Sequence, residues 1–526
     1  MKGITLLIAL SCASIIGPQG TESYRILGVF PFHGKSHFMM FEALMKGLAR
    51  RGHQIDVISP FPLKKPYPNY TDIIRIEPDQ PQVVNNMSFD TFQYLQNDMT
   101  YFIATAMGNK ICEQLEKPKI LNLIQNPPTN PPYDLVMTEI FGAHCFIAFG
   151  HHLKIPTIGL SSAALYPWGN GIIGNPANLA FVPNNLINYV APMTFWQRLC
   201  NTVHSFSSEF IFHYYSTPQT ALMKKYFGKN TPDIRSIERS VALLLVNSHP
   251  SLNDPRPVTP GLVEVGGLHV QDDDTELPLD LKEWMDSSKD GFIYFTFGSM
   301  VTIETFPKEI LDIFYKSLGK IAPIRVLMKI VDTKKLPAEL PKNFRTFVWA
   351  PQTKVLQHKN IKAFFTHGGL MGGQEAIHFA VPMIGMPLFA DQYINVDLYV
   401  RKNISLKLIW QEITEEKLDY ALKEILHNPK YKNAVTKLSQ KFLDRPMSSM
   451  DTAIYWVEYV VRHGSGVLRS PAMDLAWWQI ELLDVYVTLV FILSLLILAV
   501  FISSQFVYNL LFFKKVQMVT DSKKIK

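Results

Sequence analysis

Residues 347–392 read FVWAPQTKVLQHKNIKAFFTHGGLMGGQEAIHFAVPMIGMPLFADQ, and this stretch decides how the second half of the chain folds. It holds a short apolar strand at 363–365, then Thr366-His367-Gly368-Gly369, then a helix from about 371 to 380. A second apolar run at 381–386 ends in Pro387 and the polar pair Asp391-Gln392. A strand that turns through glycines into a helix gathers free backbone N–H groups and the positive end of a helix dipole at one point, which makes an anion site. Glycine lets the backbone approach a ligand with no Cβ in the way. His367 adds a side-chain donor at the turn. Glu375 lies about two helical turns from the strand end, where a carboxylate accepts the hydroxyls of a ribose. Together these features describe a nucleotide site.

Outward from this stretch the text alternates strand and helix. Strand 292–297, helix 307–321 and strand 325–329 precede it, and strand 405–409 and helix 414–426 follow. A helix at 453–461 is expected to return toward the first half. That half opens with a buried-strand run at 24–30, a turn at 31–36, and a helix at 38–51 with Phe41, Leu44 and Leu48 at helical spacing. Strand 54–59 completes a β-α-β unit, which implies a parallel sheet with a right-handed crossover. Strand 134–138, a helix near 144–153 and strand 157–160 continue it. Residues 161–192 are rich in Gly, Pro, Asn and aromatics without steady periodicity, and read as loops walling a pocket; 195–227 reads as helical and aromatic-rich. Residues 266–278 form the best linker. The expected class is α/β: two similar halves facing across a cleft, with ligands at the strand carboxyl ends.

The length of 526 residues gives room for two or three domains. A net charge of +6 with dispersed Lys and Arg argues against nucleic acid. Lys2, the apolar run 4–16 and the small and polar residues 17–22 form a secretory signal, with cleavage expected near Gly20. Near the other end, 485–511 carries no charge and exceeds the roughly 20 apolar residues a bilayer crossing needs. Glu481 and Asp484 precede it, whereas Lys514, Lys515, Lys523, Lys524 and Lys526 follow, so the tail is expected in the cytoplasm and the bulk in the lumen. The ending Lys523-Lys524-Ile525-Lys526 matches a dilysine signal for retrieval to the endoplasmic reticulum. Sequons at Asn69, Asn86 and Asn403 fit a lumenal body. With Cys12 in the signal, Cys112, Cys145 and Cys200 allow one disulfide at most, or none.

The WAPQ run, the THGG turn, Glu375 and the closing Asp391-Gln392 closely resemble the donor-binding signature of the UDP-glycosyltransferases, and the likeness extends to the FGSM turn at 297–300 and the membrane anchor. The chain looks like an invertebrate, insect-type member. The resemblance implies the GT-B fold: two Rossmann-like domains facing across a cleft, plus a C-terminal transmembrane helix. Domain bounds are expected at 21–270 for acceptor binding and 271–465 for the UDP-sugar, then a juxtamembrane stretch 466–484, the span 485–511 and a tail 512–526. It implies inverting transfer of a sugar from UDP to the hydroxyl of a small lipophilic acceptor, as in detoxification, without a metal. The donor it points to is UDP-glucose, with UDP-glucuronate as the alternative. Self-association through the anchor is left open.

Transfer to a hydroxyl needs a base, a group that orients the base, and stabilisation of the leaving diphosphate. The loop after the first strand offers His33 and His37, and Ser36-His37 matches the family, so His37 is the expected base. Glu139 stands where many relatives carry the base's partner aspartate; capping of the next helix is its plainer alternative. The resemblance assigns Ser299, His367 and the N–H groups of Gly369 and Gly372 to the diphosphate. It gives Trp349 and Gln352 to the uridine, Glu375 to the ribose, and Asp391 and Gln392 to the sugar. Trp349 as plain core is the competing reading. Met371-Gly372-Gly373 departs from the Asn or Ser-Thr of many relatives, and Phe379-Ala380 from a usual His-Gly; a non-catalytic lumenal binding protein with a weakened nucleotide site is therefore the rival reading. Asp272-Asp273-Asp274 reads as a solvated linker rather than a metal site, and His144, Cys145, His151 and His152 lack zinc-ligand spacing.

Overall fold

The structure, a computed structural model, describes residues 23–77, 84–94, 98–271, 275–336 and 339–524. The expected signal peptide with Cys12, the run Asp272-Asp273-Asp274 beside the expected domain boundary, and the terminal Ile525-Lys526 lie outside the described residues.

The first half builds a seven-stranded sheet from β1 (Arg25–Val29), β2 (Gln54–Ser59), β3 (Tyr70–Arg75), β4 (Leu135–Glu139), β5 (Thr157–Ser161), β6 (Val241–Val246) and β7 (Leu262–Glu264), in the order β3-β2-β1-β4-β5-β6-β7. Every pairing is parallel. Strands β4, β5 and β6 are buried along their whole length, the mark of a sheet covered on both faces. After β1 the chain runs to β2 and β3 on one side, then crosses to β4 on the other. The crevice between β1 and β4 is therefore a topological switch point, where open parallel sheets take their ligands.

Helix α1 (Lys35–Arg50) turns Phe38, Phe41, Leu44, Met45 and Leu48 onto the sheet. It begins earlier than its apolar periodicity shows, because Lys35, Ser36 and His37 form a polar first turn. His37 thus stands inside the first turn rather than before it. Beyond β5, residues 161–192 contain the short helix Pro167–Asn170 among loops, followed by α2 (Phe195–Ser216), which a Thr194–Gln197 capping box starts.

The second half repeats the plan with β8 (Phe292–Thr296), β9 (Arg325–Lys329), β10 (Phe344–Phe347), β11 (Ile361–Thr366), β12 (Met383–Gly385) and β13 (Ser405–Lys407), ordered β10-β9-β8-β11-β12-β13 and parallel throughout. Its switch point lies between β8 and β11. Helix α3 (Leu370–His378) leaves β11, and α4 (Gln392–Arg401) follows β12. Helix α5 (Ser449–His463) returns to the first sheet, where Met450, Ala453, Ile454 and Val457 share a core with Phe41, Leu44 and Leu48. In the other direction, Phe89 and Phe92 enter the second core, and Asn85 and Met87 donate backbone N–H bonds to the carbonyls of Ser299 and Met300. Each half therefore carries a piece of the other.

Past residue 470 the chain forms a separate unit. Its helix α6 (Leu483–Lys524) contains Leu483–Val519, 37 residues or about 55 Å of helix that are long and apolar enough to cross a membrane; the uncharged expected span 485–511 lies within it.

Cys112 and Cys145, whose pairing the sequence left open, form a disulfide with Cα atoms 6.1 Å apart, and Cys200 is free. His144, beside it, is buried against Glu238 with Nδ1 and Oε1 2.5 Å apart. The disulfide closes a loop of 33 residues and braces the segment that follows β4. Chain-entropy arithmetic for such a loop gives about 3–4 kcal/mol. Urea unfolding of the full chain in detergent, followed by circular dichroism, should show the Cys112→Ser/Cys145→Ser variant losing that amount. Cys200→Ser should lose less than about 0.5 kcal/mol.

Candidate functional site

The carboxyl ends of both sheets open on one cavity of about 410 Å3. From the first half come Phe32, His37, Met99, Ile103, Met107, Phe141, Ser162 and Tyr166; from the second come Ser299, Lys329, Trp349, Gln352, His367, Gly369, Gly372, Glu375, Asp391 and Gln392. All the residues expected on the nucleotide side line this space. His37 lines it as well; His33, the other histidine of that loop, is buried away from it.

On the first side, register does the positioning. Val29 pairs with Thr138, so the turn after β1 and the end of β4 lie side by side. Glu139 is the last residue of β4, not the residue after the strand, and is buried. Its Oε1 lies 2.6 Å from His37 Nδ1 and accepts a hydrogen bond from Ser162 Oγ at 3.3 Å. The rings of Phe32 and Phe141 flank His37 edge-on at 4.9 Å each. A carboxylate on Nδ1 holds that nitrogen as the N–H and leaves Nε2 as the basic one. The helix that follows, His144–Ile147, has Ala143 at its N-cap and no side-chain cap, and Glu139 Oε1 faces His37 instead.

On the second side, the FGSM and THGG turns close around His367. A Cβ at Gly298 would come within 2.6 Å of its ring and one at Gly369 within 2.8 Å, so only glycine fits at either place. Gly298 has φ of +80°, which also favours glycine. Burial and the charge of Lys329 push the His367 pKa down to about 4, so the ring is neutral at ordinary pH. Lys329 was not anticipated. It ends β9, donates to the Gly298 carbonyl at 2.5 Å, and stands 5.5 Å over the Trp349 ring. Burial lowers its pKa to about 8. A lysine directly after the apolar run Val326–Met328, at the buried end of the strand, was the readable signal. Trp349 is 45% exposed, so one ring face is open to the cavity and the plain-core reading fails.

Gln352 and Glu375, expected on uridine and ribose, are tied to each other: Gln352 Nε2 donates to Glu375 Oε2 at 2.6 Å. The other oxygen, Oε1, lies 3.3 Å from Nε2 of buried His269, without hydrogen-bond alignment. Asp391 accepts from Asn395 Nδ2 at 2.9 Å; burial raises its pKa, against the opposing pull of Asn395 and of His37 across the cleft. Gln392 spends its side-chain oxygen on the backbone N–H groups of Leu388 and Phe389, which leaves its amide nitrogen as the group able to act on a ligand.

The cavity's apolar wall comes partly from Met99, Ile103 and Met107, a region to which no element was assigned from sequence. The loop 161–192 contributes Ser162, Ala163 and Tyr166, as expected of a pocket wall. Helix α2 stands behind it: Tyr166, Trp168 and Phe212 stack with centroids 4.9 and 4.4 Å apart. Asn69, Asn86 and Asn403 are all exposed, and Asn69 Nδ2 donates to the Ala49 carbonyl at 3.2 Å. Among the described residues, no group of three His, Cys, Asp or Glu is placed to hold a metal ion.

The chain as a whole has relatives among known proteins. The family model of UDP-glucoronosyl and UDP-glucosyl transferase matches residues 26–520. UDP-glucosyltransferase 2 of Dactylopius coccus is 35% identical over 486 residues, covering 91% of this chain and 92% of the relative. UDP-glucuronosyltransferase 2B14 of Oryctolagus cuniculus is 29% identical over 536 residues, covering 96% of each. Among solved structures, the glycosyltransferase VinC in complex with DTDP superposes with a TM-score of 0.55 at 14% identity, covering 84% of this chain and all of that one, which is a likeness of fold. The two facing parallel sheets are the GT-B architecture, and the chain belongs to the UDP-glucoronosyl and UDP-glucosyl transferase family, enzymes that move a sugar from a UDP-sugar donor.

Proposed function

We propose that the chain transfers glucose from UDP-glucose to the hydroxyl of small lipophilic compounds, with inversion, at the lumenal face of the endoplasmic reticulum membrane. The contact that carries the reading is the 2.6 Å pairing of His37 Nδ1 with Glu139 on the wall of the shared cavity. The acceptor oxygen attacks the anomeric carbon while His37 Nε2 takes its proton. The bond from that carbon to the β-phosphate oxygen breaks on the opposite face, and UDP leaves with the electron pair. Glu139 stabilises the imidazolium that forms. The departing charge meets Lys329, the N–H groups of the glycine turn and the amino end of α3.

Support for a neutral sugar comes from the charges of the cavity wall. Lys35 and Lys329 are the cations that line the cavity. Lys35 is engaged by Glu42 at 3.3 Å and by the rings of Phe38 and Phe61, and Lys329 by Gly298. With Lys329 turned to the diphosphate and Lys35 held by Glu42, neither lysine of the cavity wall is left to answer a glucuronate carboxylate. The Phe, Met, Ile and Tyr wall favours apolar acceptors. Helix α6 would anchor the protein, with its basic tail on the cytoplasmic side.

His37→Ala should lower kcat with UDP-glucose and a phenol by about 10^3-fold while UDP binding stays within about threefold. Turnover assays and calorimetry would check this; a variant that retains transfer, or turnover with UDP-glucuronate in preference to UDP-glucose, would overturn the reading.

Lys329 gives a pH signature. Its folded-state pKa is lowered to about 8, so the cation is present below that value and lost above it. An anionic ligand favours the protonated form, so UDP affinity should fall as pH rises through about 8 and beyond. Lys329→Met should bind UDP roughly tenfold more weakly at pH 7 and show a flat profile from pH 7 to 9.5. Titration calorimetry across that range tests both parts.

A further inference from the structure

The segment that joins the two halves leads directly to the carboxylate assigned by resemblance to the ribose. Val265 and Leu268 are buried in the core of the first half, in one cluster with Met450 and Val457 of α5. The Gly266 carbonyl accepts hydrogen bonds from Arg445 Nη2 at 2.8 Å and from Ser449 Oγ at 2.9 Å. Gly267 donates its N–H to Gln374 Oε1 on α3 at 2.9 Å. The segment is thus held from both halves at once. The residue after Leu268 is His269, which is delivered to Glu375, the neighbour of Gln374.

Glu375 lines the cavity and His269 does not; the His269 side chain is 1% exposed. Two side chains from separate segments therefore face the two carboxylate oxygens. Gln352 Nε2 donates to Oε2 at 2.6 Å, and His269 Nε2 lies 3.3 Å from Oε1. Among the described residues, neither ring nitrogen of His269 has a hydrogen-bond partner. Buried polar groups are seldom left in that condition, and one beside a binding group calls for an explanation. Other buried histidines of the chain are tied down. His53 accepts from the Tyr24 N–H on Nδ1 at 3.2 Å and meets Glu458 through Nε2 at 3.2 Å, and His144 meets Glu238.

We propose that His269 is a positioning residue for the nucleotide: its Nε2–H turns onto Glu375 Oε1 when ribose hydroxyls engage the carboxylate, so that a donor holds each oxygen. The inference rests on the reading of Glu375 as the ribose carboxylate. The imidazole nitrogen that faces a carboxylate is the one that carries the hydrogen. A single donor, Gln352, leaves the carboxylate able to swing about its last C–C bond, because such torsions have broad wells. A second donor, presented from the linker, fixes the plane. Each oxygen keeps a lone pair for a hydroxyl. Hydrogen bonds of this kind are commonly misaligned before a ligand binds and close in the complex. His269 touches no part of the ligand, so its effect falls on the ribose contact alone.

The test measures, by calorimetry on the full chain in detergent, the affinities for UDP and for 2′,3′-dideoxy-UDP, which lacks both ribose hydroxyls. The wild type should prefer UDP by about 30-fold. His269→Phe and His269→Leu remove the N–H; they should cut that preference at least about fivefold while binding dideoxy-UDP within about twofold of wild type, which also reports an intact pocket. His269→Gln keeps an amide N–H and should hold the preference within about twofold of wild type. A preference unchanged in His269→Phe and His269→Leu overturns this inference alone. So does an equal loss of affinity for both nucleotides, the mark of a packing role, or a preference lost as fully in His269→Gln as in His269→Phe. A wild type with no preference, or a preference untouched by Glu375→Ala, overturns the ribose reading and this inference with it.

Discussion

Parallel pairing of β1 with β4 is the constraint on which the chemistry depends. Val29 lies opposite Thr138, so the first turn of α1 and the end of β4 cannot avoid one another, and His37 reaches Glu139 from a different part of the chain. The pair is assembled by sheet register rather than by a local motif. Any slip of one residue along β4 would turn Glu139 to the other face of the sheet and leave the imidazole without its orienting carboxylate. Buried Ser162 holds Glu139 from the other side, and the Phe32 and Phe141 rings pack edge-on against His37 at the cavity wall.

The second sheet meets the same demand with different chemistry. Its switch point holds two glycine turns packed on one neutral histidine, with a lysine of lowered pKa beside them. A permanently charged group buried at this position would cost several kcal/mol of desolvation. Lys329 avoids part of that cost by lying close to the point of deprotonation and by donating to the Gly298 carbonyl. The site is therefore prepared for an anion while being tolerable without one.

What could be read in the sequence follows from which signals are local. The strand–glycine–helix stretch at 361–378 was legible because apolar periodicity and turn residues fall in one window, and Trp349, His367 and Glu375 came with it. His37 against Glu139 was legible through resemblance. The start of α1 was not, since its first turn is polar. The apolar wall from Met99 to Met107 was not, because it is broken between short α and π segments that lack sustained periodicity. Lys329 was missed because its environment is made by three distant segments: Gly298, Trp349 and His367. The Cys112–Cys145 pairing was undecidable for the same reason, since one partner follows β4 and the other lies in a region with no assigned strand.

The Met371-Gly372-Gly373 departure also changes meaning once packing is considered. From sequence it looked like erosion of the nucleotide site, with two glycines weakening a helix by about 1 kcal/mol each. In the fold, a Cβ at Gly373 would lie 1.9 Å from the Tyr399 hydroxyl oxygen, and one at Gly372 would lie 3.2 Å from Gln352 Nε2. Gly373 is what allows α3 to press against α4, and Gly372 is what leaves room for the Gln352–Glu375 contact at the cavity floor. Buried Tyr399 occupies the space a side chain at 373 would need. The glycine pair is thus a packing solution coupled to Tyr399, and the amino end of α3, with its free N–H groups and dipole, is kept where a diphosphate can reach it. Helix propensity given up at these two positions is exchanged for the close approach of α3 to Tyr399 and for the space beside Gln352.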